Sequence, residues 1–263
     1  MLNGKKIVVI MPAYNAEQTL KQTYDEIYRE FVDEIILVDD SSLDNTKELS
    51  KSLKITTIVH KENKGYGANQ KSCYRAALKA DADIVIMLHP DYQYTPKLIP
   101  AMASMMAFEQ YDAVLASRML GRSALKGGMP LYKYVANKFL TGFENFFLQE
   151  KLSEYHTGFR GFTKDVLKNL PLDSCNDDFI FDNEIIALMF FNKYNLGEIS
   201  CPTKYFKEAS SINFVRSCKY GLQVLGVSAL YRLAKMGLRL GIFKDNGKKL
   251  DLESELTYYY KEN

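Results

Sequence analysis

Four clusters of polar and aromatic residues each sit close behind an apolar run: Pro12-Ala13-Tyr14-Asn15, Asp39-Asp40, Glu62-Asn63-Lys64 and His89-Pro90-Asp91. Their types suit a ligand that is both planar and charged. A ring such as Tyr14 can stack on a nucleobase, and a carboxylate can accept from the N–H of uracil or guanine. A second group is basic: Arg118, Arg122, Lys126 and Lys133 surround the glycine-rich stretch GRSALKGGMP at residues 121–130. Glycines let such a loop move and bring its backbone close to a phosphate. The plain alternatives are a solvated basic loop, and aspartates at positions 39 and 40 that only cap the next helix.

These residues need elements to position them. Lys6–Met11 (KIVVIM), Glu34–Val38 (EIILV), Ile55–His60, Asp83–Leu88 (DIVIML) and Asp112–Ser117 read as buried strands. Helical spacing separates them: Ala16–Tyr28, a helix capped by Asp44 through about Lys51, Gly65–Lys79, and a helix opened by Pro96. Continuous apolar strands alternating with helices predict a mostly parallel sheet covered on both faces. In such sheets ligands bind beyond the carboxyl ends of the strands, where the four clusters fall. The second half predicts a helix over Tyr132–Gln149, a polar and aromatic stretch at Leu152–Phe162, a helix over Phe181–Asn192 and a strand over Leu196–Cys201. On a helix starting near Phe181, Asp178 takes a cap position.

The chain has 263 residues, 47% hydrophobic and 25% charged, enough for one large α/β domain. A net charge of +2 gives no general attraction for polyanions, so nucleic acid is not expected as a partner. Cys73, Cys175, Cys201 and Cys218 lack metal-site spacing and read as reduced thiols of a reducing compartment. No leader pattern opens the chain, and no apolar run is long enough to span a bilayer. A cytoplasmic location, in contact with the inner membrane face, is the expectation. Residues 214–243 combine apolar side chains with Arg216, Lys219, Arg232, Lys235 and Arg239. Such a segment fits a basic amphipathic helix at a lipid surface, or one packed against the domain or a second subunit.

Seven segments, in order, resemble the inverting family-two glycosyltransferases, in the branch that serves polyprenyl phosphates and includes dolichol-phosphate mannose synthase. They are VVIMPAYNAEQTL (8–20), EIILVDDSSLDNT (34–46), NKGYGANQKSCYRAAL (63–78), IVIMLHPDYQYTP (84–96), ASRMLGRSALKGG (116–128), EYHTGFRGFTKDVL (154–167) and DDFIFDNEI (177–185). The resemblance implies the nucleotide-sugar transferase (GT-A type) fold over residues 1–210, with 211–263 as a helical extension toward a membrane or partner.

It also implies roles. Pro12, Tyr14, Asn15, Val38, Asp39, Asp40, Lys64, His89, Pro90 and Asp91 would bind the donor, with Asp40 pairing to the base. The family usually has D-x-D where this chain has His89-Pro90-Asp91. Asp91 would hold Mg²⁺ or Mn²⁺, Gln93 would assist, and His89 would ligate Mn²⁺ more readily than Mg²⁺. Arg118 and Lys133, with Lys126 and Arg160, would receive the acceptor phosphate. Asp177, Asp178, Asp182 and Glu184 lie where many members keep a catalytic base, Asp182 first and Asp178 next. A hydroxyl acceptor needs such a base; an ionised phosphate does not. The implied activity is hexose transfer from a nucleotide sugar, UDP-hexose before GDP-mannose, to a polyprenyl phosphate. A glycan hydroxyl is the alternative acceptor, and a non-catalytic nucleotide-sugar binder the alternative of another class. A homo-oligomer is compatible with all three.

Overall fold

A computed structural model describes residues 1–121, 123–204 and 214–262. The chain runs β1 (Ile7–Ala13), α1 (Glu17–Asp25), β2 (Glu34–Asp39), α2 (Thr46–Ser52), β3 (Thr56–Val59), α3 (Tyr66–Lys79), β4 (Ile84–Met87), α4 (Ile99–Ala107) and β5 (Ala113–Ser117). It continues with α5 (Ser123–Lys126), α6 (Leu131–Leu148), β6 (Arg160–Thr163), α7 (Lys164–Asn169), α8 (Phe181–Phe191), β7 (Leu196–Ser200), α9 (Phe214–Lys235) and β8 (Tyr258–Tyr260). Eight strands form one sheet in the order β7-β5-β6-β4-β1-β2-β3-β8. Only β6 and β8 run antiparallel to their neighbours.

Every residue of β1 is buried, because the strand lies at the centre of a sheet covered on both faces. Val8 and Ile10 enter one core with Tyr74, Phe162 and the helices α3 and α8. Ile7, Val9 and Met11 enter the other with Leu20 of α1 and Met102 and Met106 of α4. The strand runs through Pro12 to Ala13, past the expected stop. The Ala13 carbonyl accepts from Asp40 N on the β2 side, so Pro12 faces β4. The β4 pairing has already ended at Ile10↔Met87, and the missing proline N–H costs no ladder bond.

Two expectations change. Within the stretch read as a mobile loop, Ser123–Lys126 forms a short helix, and Met119, Ala124 and Met129 pack together beneath it. The C-terminal extension is helical only through α9 and a turn at Gly241–Phe243. It then returns to the sheet, where β8 pairs with the otherwise open edge of β3. Phe191, Tyr231 and Phe243 form a ring cluster that holds α9 to α8. The boundary expected at residues 210/211, like Arg122, lies outside the described residues.

Candidate active site

Topology gathers the chemistry. The carboxyl ends of β1, β2, β3 and β4 carry Tyr14, Asp39, His60 and His89 to one edge of the sheet. Because β6 is antiparallel, its first residue, Arg160, pairs with Met87 at the end of β4. The stretch 154–159 is thereby brought to the same edge. Arg118 follows the end of β5, and the first turn of α8 supplies Asp182.

The loops after β1 and β2 are stitched together. Asn15 sits at φ 52°; its N–H donates to Ser42 Oγ at 2.8 Å and its Oδ1 accepts from Leu43 N at 2.9 Å. Asp39 accepts from the Ser42 N–H at 3.0 Å and from the Ser42 hydroxyl. Burial pushes its carboxyl pKa up against those bonds. Tyr14 projects from this rim 52% exposed, with a face open for stacking.

Asp40 does not take the expected position. Its carboxylate turns inward, accepting from His60 Nδ1 at 2.6 Å, Lys64 N at 2.9 Å and Gly65 N at 3.0 Å. It is buried, as Asp39 is, and it ties the ends of β2 and β3 to the start of α3. Val38 is likewise internal; its carbonyl accepts from Asn69 Nδ2 at 3.1 Å. Lys64 keeps an exposed side chain at the mouth.

The densest constellation surrounds Asp182. Its Oδ1 accepts from Gln70 Nε2 at 2.9 Å and its Oδ2 from the Tyr66 hydroxyl at 2.8 Å. The Arg160 guanidinium lies 3.1 Å from Oδ2 and donates to the Asp182 carbonyl at 2.9 Å. Tyr66 and Gln70 are one turn apart on α3, so both reach the same carboxylate. Tyr66 also lies 3.1 Å from His89 Nε2, with its ring stacked on the imidazole. The Tyr66 proton goes to the carboxylate, which can only accept. His89 must therefore donate from Nε2–H, leaving a lone pair on Nδ1. Burial lowers the His89 pKa against the pull of Asp91 and Asp182, which favours the neutral ring. Gly158 makes room for it: a Cβ there would lie 2.8 Å from His89 Cδ2. Gly67 is equally constrained, since its Cβ would meet the Asn176 carbonyl at 2.7 Å.

Asp91 stands beyond β4, half-buried, and Gln93 donates to it from N at 3.2 Å and from Nε2 at 2.8 Å. Pro90 is buried beneath, its carbonyl accepting from Thr23 Oγ1 at 3.3 Å. Among the described residues no group of three or more His, Cys, Asp or Glu side chains is placed to hold a metal. The donor set is one carboxylate, one amide and one imidazole nitrogen. It fits a divalent cation whose shell is completed by a ligand's phosphate oxygens, not a metal caged by protein alone.

The basic residues divide. Arg160 is fully buried; Asp182 and the Thr157 carbonyl take its donors, so it is a structural staple and not a phosphate ligand. Arg118 is gripped by Glu154, through N at 2.7 Å and Nε at 2.8 Å, and by the His156 carbonyl at 2.9 Å. Burial would raise the Glu154 pKa, but the Arg118 charge holds it below the usual range. Lys126 is exposed and Lys133 half-buried.

The four candidate bases are all engaged. Asp177 pairs with Lys71 at 2.8 Å and Asp178 with Lys219 at 3.1 Å. Asp178 also accepts from Phe179 N at 2.9 Å, and these bonds hold its carboxyl below the usual range against the upward pull of burial. Glu184 accepts from Asn176 N at 2.6 Å. Asp182 is saturated as described, which argues against the base role expected for it.

Sequence reasoning missed Tyr66, Gln70, His60, Glu154 and a buried group of Glu144, His156, Asn183 and Tyr220. The i, i+4 spacing of Tyr66 and Gln70 was the one available signal. A cavity of about 710 Å³ lies elsewhere, lined by Tyr111, Asn195 and Leu196 at the amino ends of β5 and β7. That is the opposite edge from the convergence, so it is not the candidate site.

The chain is 30% identical over 219 residues to a UDP-N-acetylglucosamine–dolichyl-phosphate N-acetylglucosaminyltransferase of Methanococcus voltae, covering 76% of this chain and 86% of that protein. It is 37% identical over 121 residues to the undecaprenyl-phosphate 4-deoxy-4-formamido-L-arabinose transferase of Proteus mirabilis, covering 41% and 36%. Among solved structures, glucosyl-3-phosphoglycerate synthase from Mycobacterium tuberculosis, in complex with Mn²⁺, UDP and phosphoglyceric acid, superposes with a TM-score of 0.66. That match is 17% identical and covers 98% of this chain and 87% of the other, a likeness of GT-A fold. The profile of glycosyl transferase family 2 matches residues 8–170, and the chain is a glycosyltransferase of that family.

Proposed function

We propose that this glycosyltransferase moves a hexose, with inversion, from a nucleoside diphosphate to the phosphate of a polyprenyl lipid, uridine being preferred over guanosine. The observation that carries the reading is the state of the four acids at 177–184. Asp177, Asp178 and Asp182 are each paired with a cation, and Glu184 accepts from a backbone N–H, so three of the four are neutralised as bases for a hydroxyl. An ionised phosphate acceptor needs no base. Exposed Lys126 and half-buried Lys133 supply positive charge for such an acceptor, and Arg118 is fixed by Glu154. Two relatives bear polyprenyl-phosphate acceptors in their names.

In this reading Tyr14 stacks on the base. Asp91, Gln93 and His89 through Nδ1 would hold a divalent cation, which would offset charge on the departing diphosphate. The acceptor oxygen attacks the anomeric carbon from the face opposite the diphosphate. The bond from that carbon to the diphosphate oxygen breaks, and its electron pair leaves with the nucleotide. Tyr66, Gln70 and Arg160 hold Asp182 rigid, and the Tyr66–Asp182 bond fixes the orientation of His89.

The test is transfer of radiolabelled sugar from UDP- and GDP-hexoses to a detergent-dispersed polyprenyl phosphate, with Mg²⁺ or Mn²⁺. Labelled lipid is the expected product. No transfer to lipid, with transfer to a sugar hydroxyl instead, would replace the phosphate acceptor with a glycan one.

A further inference from the structure

Helix α6 exposes a second apolar stripe besides the one it packs on the core. Its inner face carries Asn137, Thr141 and Glu144 together with Leu148, and Leu140 and Phe147 pack against the core, while Tyr132, Val135, Phe139 and Phe146 face outward. Phe139 is 65% and Phe146 74% exposed. These positions recur at helical spacing along one side, so the exposure belongs to the whole helix and not to one stray side chain. An ordinary surface helix keeps its outer face polar.

Helix α9 packs beside α6 and extends the surface. The two run side by side, since Leu148 and Glu150 at the end of α6 and Tyr231 and Lys235 near the end of α9 line one cavity. Val215 and Leu222 of α9, and Met236 just past its end, are each more than 70% exposed. Charge within the two helices is mostly positive, with Lys219 paired to Asp178 and Glu150 close to Lys235. Within α9 there is no acidic residue, only Arg216, Lys219, Arg232 and Lys235; within α6 the sole acid, Glu144, is buried, while Lys133 and Lys138 reach the surface. Among the described residues no helix is long and apolar enough to cross a bilayer.

The geometry points to the outer faces of α6 and α9 as one docking surface for an anionic lipid bilayer, on which the protein lies with α6 in the interface plane. Rings and aliphatic side chains enter the acyl boundary, and the cations meet the headgroups. Self-association through this face would bring Lys133, Lys138 and Arg232 of two copies toward one another. The lipid partner rests on the polyprenyl-phosphate reading for its purpose. Lys133 lies on α6 itself, so an acceptor phosphate could reach the site while its chain stays in the bilayer.

Docking is measured without donor or acceptor, so its outcome is independent of the transfer assay. Wild-type protein is sedimented with vesicles of phosphatidylcholine alone, or of phosphatidylcholine with phosphatidylglycerol. Binding is expected to the anionic vesicles, to weaken at about 1 M salt, where screening is short-ranged, and to fall at least tenfold in Phe139→Glu/Phe146→Glu. Those side chains are exposed, so the variant should melt at the wild-type temperature. Leu222→Glu and Lys138→Glu, single changes on the two helices, should each weaken binding too, which guards against misfolding of the double variant. Absence of wild-type binding, or undiminished binding in all three variants, overturns the proposal. So does a wild-type dimer that Phe139→Glu splits while vesicles bind neither form.

Discussion

Arg160 and Asp182 meet at two points: the guanidinium lies 3.1 Å from the carboxylate and donates to the backbone carbonyl at 2.9 Å. One comes from β6 and the other from α8, and both are buried. Removing one partner of a buried pair leaves an uncompensated charge, at a cost of about 3–5 kcal/mol. Asp182→Ala should therefore lower the free energy of unfolding by about that amount in denaturant titration. Loss of turnover with an unchanged midpoint would move Asp182 from scaffold to chemistry.

Asp40 and Tyr14 make opposite predictions. Asp40→Asn should destabilise by about 1.5–3 kcal/mol, the range for hydrogen bonds to charged groups, without altering the preference between UDP and GDP. Tyr14→Ala should leave stability unchanged and weaken nucleotide binding about tenfold, as loss of one base–aromatic stack does. Calorimetric titration separates the two. A changed base preference in Asp40→Asn would restore the role that its inward orientation argues against.

Asp91 is the sole carboxylate in the set proposed to share a cation with the donor diphosphate. Asp91→Asn should abolish the part of UDP-induced thermal stabilisation that requires Mn²⁺, by linkage. Transfer should fall about 10²–10³-fold, the usual effect of removing one transition-state electrostatic contact. Equal stabilisation by UDP with and without metal in the wild type would remove the cation from the site.

Glu144 and His156 give a pH signature. Glu144 Oε2 and His156 Nε2 approach to 3.3 Å, but without the angle of a hydrogen bond, and neither has another partner. Burial raises the Glu144 pKa from 4.5 to about 8 and lowers that of His156 from 6.5 to about 4. Between its two values the folded Glu144 keeps a proton that the unfolded chain releases, so its contribution to stability falls as pH rises. The unfolded His156 binds a proton that the folded ring refuses, so its contribution rises between about 4 and 6.5. The two oppose each other up to pH 6.5; above that Glu144 acts alone. Stability should fall by roughly 1–2 kcal/mol between pH 6.5 and 8, and Glu144→Gln should flatten the decline. Thermal melts across that range test it.

Much of the sheet was legible because buried strands leave uninterrupted apolar runs. KIVVIM, EIILV and DIVIML lie in β1, β2 and β4 to within two residues at either end. The strand tips were legible for the same reason, since polar residues begin where the runs stop. Side-chain direction was not. Asp39 and Asp40 are adjacent, chemically identical and both buried, yet one bonds to Ser42 and the other to His60. Arg160 and Arg118 read as surface cations because their carboxylate partners lie 22 and 36 positions away. The outward apolar face of α6 was hidden too, because periodicity shows that a helix has two faces and not which one meets the core.

The sequence by itself determined the order of strands and helices, the edge where ligand chemistry gathers, and the family. Those follow from local patterning and from segments whose residues act near one another in the chain. Only the tertiary structure decided which charged groups are already neutralised, which residues hold Asp182 and His89, and which way α6 faces. Those outcomes depend on partners brought together by the antiparallel insertion of β6 and the packing of α8 and α9. Burial then makes each pairing obligatory, because an unpaired charge inside the fold costs more than the fold could sustain.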